Sequence, residues 1–135
     1  MTKQELKNYS RMNKELARLE EKIKVLRNKI ESPKSAVLSG VTSSGERKDF
    51  TDYIDNIVEL QEMYNRRAKA IIEEQIRIEN AIARLDNPIE RAVLGYYYID
   101  GLTWEQICVK VNYSWNRIHH FHRKALINIK GITYE

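Results

Sequence analysis

One cysteine, Cys108, stands in a chain of 135 residues. A disulfide framework and a multi-cysteine zinc site are therefore excluded within one chain. Proline occurs twice and glycine five times, so few positions interrupt a helix. No apolar run approaches membrane-spanning length, and the N-terminal stretch is polar, without the apolar core of a signal peptide. Gly40 and Gly45 lack phosphate-loop spacing, and no Gly-Lys-Ser/Thr is present. No nucleophile–base arrangement or carboxylate pair stands out. The expectation is a non-enzyme in a reducing cytoplasm, with no catalytic residue, cofactor, metal or membrane contact.

Charge is plentiful: 31% of residues are Asp, Glu, Lys or Arg, and the formal net charge is +4. It is unevenly spread. Residues 1–31 hold nine basic and five acidic side chains, net +4, whereas residues 50–86 hold five and eight, net −3. In the first block the apolar residues fall at Tyr9, Met12, Leu16, Leu19, Ile23, Leu26 and Ile30. The alternating steps of three and four are a heptad seam. A helix from about Thr2 to Ser32-Pro33 would span ~43 Å. In a parallel homodimer Glu15 would face Glu20 and Lys22 would face Arg27, so parallel self-pairing is disfavoured.

Residues 32–49, rich in Ser and Gly with one Pro, have no period and read as a flexible loop. Periodicity resumes at Phe50. Ile57, Leu60, Tyr64, Ala68, Ile71, Ile78, Ile82 and Leu85 form one stripe, with Gln75 filling the gap in register. Ile54, Val58, Ile72, Ile76 and Ala83 form a second stripe beside it. So wide an apolar surface packs against more than one neighbour. The opposite charges predict an antiparallel helical hairpin over residues 1–86. The spare face predicts a homo-oligomer, most simply a dimer.

Residues 87–135 read as a three-helix module. Asn87, Pro88 and Glu90 are placed as cap, first helical residue and capping-box partner. That helix runs to about Ile99, and Asp100-Gly101 turns the chain. Thr103 caps a second helix, with Gln106 in capping-box position. Asn112 tolerates the left-handed conformation of a helix stop, and Ser114 caps a third helix ending at Gly131. Ile107, Cys108, Val111, Ile118, Phe121, Ala125 and Leu126 supply buried faces. A helix, a three-residue turn and a polar, basic second helix have the form of a helix-turn-helix, whose second helix enters the major groove of DNA. The whole chain reads as all-α.

The stretch Asn87–Lys130 resembles region four of bacterial sigma factors. The likeness rests on Pro88, Glu90, Arg91, Tyr97, Tyr98, Gly101-Leu102-Thr103, Glu105, Ile107, Val111, Ser114, Arg117, Ile118 and Arg123-Lys124-Ala125-Leu126. The long helix ending Leu85-Asp86-Asn87-Pro88, with Thr103-Trp104-Glu105 and Asn112-Tyr113-Ser114-Trp115, is similar to small phage-encoded proteins of Gram-positive hosts. These are grouped loosely with phage late-transcription regulators. The resemblance implies a DNA-binding transcription regulator in a bacterial host, with RNA polymerase as a further possible partner. Asn112 stands where such turns usually carry Gly. The residues at base-reading positions differ from those of sigma factors, so their promoter specificity does not carry over. Nothing resembles a promoter-melting region.

The candidate DNA-binding residues are Thr103, Ser114, Trp115, Asn116, Arg117, His119, His120, Arg123 and Lys124. Asn116 suits bidentate pairing to adenine. His119 and His120 suit base edges or phosphates. Arg117, Arg123 and Lys124 suit phosphate, which adds affinity but not specificity. His119 and His122 are three apart, but no carboxylate or thiol stands at helical spacing beside them, so a metal site is not expected. Two alternatives stay open: a small DNA-packaging subunit, and a sigma-like module that binds RNA polymerase or a host protein without DNA.

Overall fold

The structure, a computed structural model, describes residues 1–31 and 44–132. Among them every regular element is helical. The elements are α1 (Lys3–Glu31), α2 (Ser44–Ala83), α3 (Pro88–Leu94), a π turn (Gly95–Ile99) continuing α3, α4 (Trp104–Val111) and α5 (Trp115–Lys130). The chain is all-α, as its periodicity predicts.

Contacts group the chain into two compact units. One combines Met1–Asn13 with Ile71–Glu135, and the other is Lys14–Ala70. This grouping cuts both long helices and does not follow the line between residues 86 and 87.

In the unit Lys14–Ala70, the seam residues Leu19 and Ile23 are buried, as is Ile57 of α2. Leu16, Leu26, Leu60 and Tyr64 are half-buried. Arg27 of α1 donates from Nη2 to Oε1 of Gln61 of α2 at 3.1 Å. Ile54 and Val58, from the second stripe, are exposed.

In the other unit, α1 begins with a reciprocal cap. Thr2 Oγ1 accepts from the Glu5 amide at 3.3 Å, and a Glu5 carboxylate oxygen accepts from the Thr2 amide at 2.7 Å. Two backbone donors without intrahelical partners are thereby satisfied. Leu6 and Tyr9 are buried. The Tyr9 hydroxyl donates to Gln75 Oε1 at 3.1 Å, and Arg77 reaches Glu5 at 2.8 Å. Rising numbers in this part of α1 therefore meet falling numbers in α2. Gln75 interrupts an apolar stripe because its side chain receives the buried tyrosine hydroxyl. Ile71, Ile78, Ile82 and Leu85 are buried, whereas Ile72 and Ile76 are exposed.

Three local expectations are corrected. Part of the segment expected as a loop over 32–49 is helical, because α2 begins at Ser44. Extending an existing helix costs far less than nucleating one, and Glu46, Arg47 and Lys48 are good helix formers. Residues 32–43 lie outside the described residues. Second, α2 ends at Ala83, before Leu85. The Arg91 guanidinium donates to the carbonyls of Leu85 and Asp86 just beyond it. Third, Glu90 forms no capping box with Asn87. Asn87 Oδ1 accepts from the Ile89 amide at 2.8 Å, while the buried Glu90 accepts from Asn128 Nδ2 of α5 at 2.6 Å. A carboxylate with a nearby amide donor on another helix satisfies its oxygen there instead of at its own helix start.

The π turn puts the amide of Asp100 onto the Gly95 carbonyl at 3.0 Å. The resulting wider turn carries Tyr96, Tyr97 and Tyr98. Gly101 follows at φ +69, a left-handed conformation in which a side chain would be strained.

Candidate nucleic-acid interface

Four polar side chains decide where α4 and α5 start and stop. Thr103 Oγ1 accepts from the Gln106 amide at 3.2 Å, and Gln106 Oε1 accepts from the Thr103 amide at 2.9 Å. Asn112 ends α4 in the left-handed conformation, φ 58 and ψ 45. Ser114 Oγ accepts from the Arg117 amide at 3.3 Å and opens α5. The link between the helices is thus Asn112–Ser114, the expected three residues.

Packing orients α5. Val93 of α3, Ile107 of α4 and Ile118 of α5 form a core from which solvent is excluded, with Leu102, Trp104, Cys108, Val111 and Phe121 around it. Ala125 and Ile129 are also buried. With one face of α5 held this way, the opposite face must point to solvent. That face carries Asn116, Arg117, His120, Arg123 and Lys124, all exposed, and the exposed Trp115 lies on its flank. The Arg117 guanidinium lies over the Tyr113 ring, 4.8 Å from its centre, which restricts where this cation points. Thr103 and Ser114 are exposed as well. Their oxygens accept from backbone amides, so each hydroxyl proton remains available to an outside acceptor.

His119 is the exception among the candidates. It lies between Trp104 and Trp115, with ring centres 4.7 and 4.5 Å away. Its Nε2 is shielded from solvent and has no hydrogen-bond partner. His119 is half-buried, whereas His120 is exposed. His119 is one turn beyond Trp115 and faces Trp104, so its ring supports the two indoles.

The neighbouring His122 belongs to an aromatic cluster that the sequence reading did not identify. Tyr97 stacks on Trp104 at 4.0 Å and 14°, and His122 meets Trp104 edgewise at 4.7 Å. His122 Nε2 lies 2.9 Å from the Tyr98 hydroxyl. Burial, followed by the nearby Lys3, His119 and Arg123, lowers the His122 pKa to about 4. Burial, followed by Tyr97, raises the Tyr98 pKa to about 12. Both groups are neutral near pH 7, so they share a neutral hydrogen bond whose direction follows the imidazole tautomer. Among the described residues, no group of three His, Cys, Asp or Glu is placed to hold a metal ion. No described helix is long and apolar enough to cross a membrane.

These elements define an all-α protein with a short capped helix pair near its C-terminal end. The chain belongs to the family described as "Protein of unknown function (DUF1492)", whose match spans residues 29–130. No curated protein and no solved structure matches it.

Proposed function

We propose that this protein is a sequence-specific DNA-binding regulator of transcription, of phage or prophage origin, acting in the cytoplasm of a bacterial host. In this reading α4 and α5 are a helix-turn-helix, and the N-terminal half of α5 enters the major groove. The observation that carries it is the exposed face of α5. Asn116 and His120 lie one turn apart among Arg117, Arg123 and Lys124, while the cap–turn–cap geometry fixes the helix beneath them. A rigid helix with polar readers and flanking cations suits base edges and phosphates together. The regulatory part rests on the resemblance of Asn87–Lys130 to sigma region four, and the phage part on the likeness to small phage-encoded proteins.

The exposed Ile54 and Val58 in one unit, and Ile72 and Ile76 in the other, favour a homo-oligomer. Contact with RNA polymerase remains part of the proposal. The same exposed residues suit the packaging-subunit alternative, which ring-shaped oligomers would favour.

Mapping the protein's binding sites on host and prophage DNA tests the reading. The expected result is a shared sequence motif. On a mapped site, Asn116→Ala should alter base preference, with a discrimination loss of about 1–3 kcal/mol at one position. Arg123→Ala should weaken all sequences nearly evenly. Unchanged affinity and preference in both folded variants would replace this reading with the interaction-module alternative.

A further inference from the structure

An open groove beside the C-terminal half of α5 is lined by Thr2, Lys3, Gln4 and Lys7 of the N-terminal segment and by Leu126, Ile127 and Lys130. All these residues belong to one unit. Lys3, Lys7 and Lys130 are exposed, and among the described residues none of the three forms an ion pair. By contrast Glu5, the carboxylate nearest in sequence, is held by Arg77 at 2.8 Å. Among the described residues, the groove therefore gathers three cations that form no ion pair.

Its position along α5 matters. Asn116, His120, Arg123, Ile127 and Lys130 follow one another at steps of four, three, four and three, so they form one line on the helix. Fourteen residues separate its ends, a length of ~21 Å. The major groove is about 12 Å wide. With the N-terminal half of α5 on base edges, a line of this length that leaves the groove at its other end reaches the flanking sugar-phosphate backbone. At that end α1 adds two lysines to the one that α5 supplies.

We propose that Lys3, Lys7 and Lys130 form a phosphate-holding site for duplex DNA, continuous with the reading face of α5. This rests on the DNA-binding reading above. The ligand is the duplex backbone and not its bases, because lysine ammonium groups act as point charges toward phosphate. Leu126 and the exposed Ile127 form the apolar part of the groove, suited to the deoxyribose that joins successive phosphates. The start of the N-terminal helix would then belong to the DNA interface, although Lys3 and Lys7 lie far from α5 in the sequence.

The test is fluorescence anisotropy with a labelled random-sequence duplex of about 30 base pairs, titrated with full-length protein at several salt concentrations from about 50 to 200 mM. Each lost phosphate contact lowers the slope of log affinity against log salt by about 0.9. Lys3→Gln/Lys7→Gln should therefore lower it by nearly two, and Lys130→Gln by nearly one. Lys3→Arg/Lys7→Arg should retain the wild-type slope. The control Lys14→Gln/Lys24→Gln, which removes equal charge in the other unit, should leave the slope unchanged. Circular dichroism checks that each variant is folded. If Arg117→Gln or Arg123→Gln lowers the slope but the groove variants do not, the groove site is overturned and the DNA reading stands. An equal fall in the control would overturn the site by reducing it to general charge. If the unmodified protein fails to bind duplex even at the lowest salt, the DNA reading fails and the site fails with it. Unchanged DNA binding by the groove variants, with loss of binding to an acidic protein segment, would also overturn it and reassign the groove to protein.

Discussion

The short helices α3 to α5 and the long helices α1 and α2 are specified in different ways. In the short region a few polar atoms decide where the chain turns: Asn87, Thr103, Asn112 and Ser114 each stand at a helix end. In the long helices the information is spread over repeating apolar positions, and no single residue sets the path. The short region buries most of its apolar face in one core and leaves a largely polar face to solvent, with Val109 and Ile127 as exposed apolar exceptions. The long helix α2 carries more apolar surface than its described packing covers. Concentrated specification suits a surface whose side chains must be held in place. Distributed specification tolerates change and leaves surface free for a partner.

The sharpest way to break this comparison is at the core of the short region. Ile118 is fully buried against Val93 and Ile107. Ile118→Ala should cost about 2–5 kcal/mol, read by chemical denaturation. A loss below about 1 kcal/mol would mean that this core does not hold α5. The next largest effects are at the turn. Asn112→Val forces a β-branched residue into φ 58 and should cost about 1–2 kcal/mol, whereas Asn112→Gly should be close to neutral. Ser114→Ala removes the α5 cap and should cost about 1 kcal/mol. Equal tolerance of valine and glycine at 112 would contradict the left-handed turn.

A gentler effect concerns pH. His122 is held neutral, with its pKa lowered to about 4 from an ordinary value of 6.5. As pH falls from 6.5, the unfolded chain takes up a proton that folded His122 refuses. Stability from this group is therefore complete above about pH 6.5 and is lost progressively as pH falls towards 4. Thermal melts across that window should show the decline, and His122→Gln should flatten it. An unaltered pH profile in His122→Gln would assign the decline to other groups.

The smallest effect on stability belongs to α2. Ile72→Ser and Ile76→Ser alter exposed positions, so each should change stability by no more than about 0.5 kcal/mol. Sedimentation at micromolar concentration should nevertheless show weaker self-association. A destabilisation like that of Ile118→Ala would mean that these side chains are already covered within one chain.

The amino-acid sequence alone was enough to determine the helical character, the heptad seam of α1 and the turn Asn112–Ser114. These depend on propensity, periodicity and caps, all of which act over a few neighbouring residues. The exposed face of α5 was legible for the same reason: once Ile118 and Ala125 are buried, the angle per residue puts Asn116, His120 and Arg123 outside, although Phe121 and Leu126, also expected inside, are only half-buried. Tertiary structure decided what depends on distant neighbours. It drew Glu90 away from its own helix start to Asn128, and it placed His119 between Trp104 and Trp115. It also paired His122 with Tyr98 through a π turn that no local pattern announced. Above all it brought Lys3 and Lys7 beside Lys130. Charge has no helical period to reveal its partners, so a cluster assembled from the two ends of a chain exists only once the chain has folded.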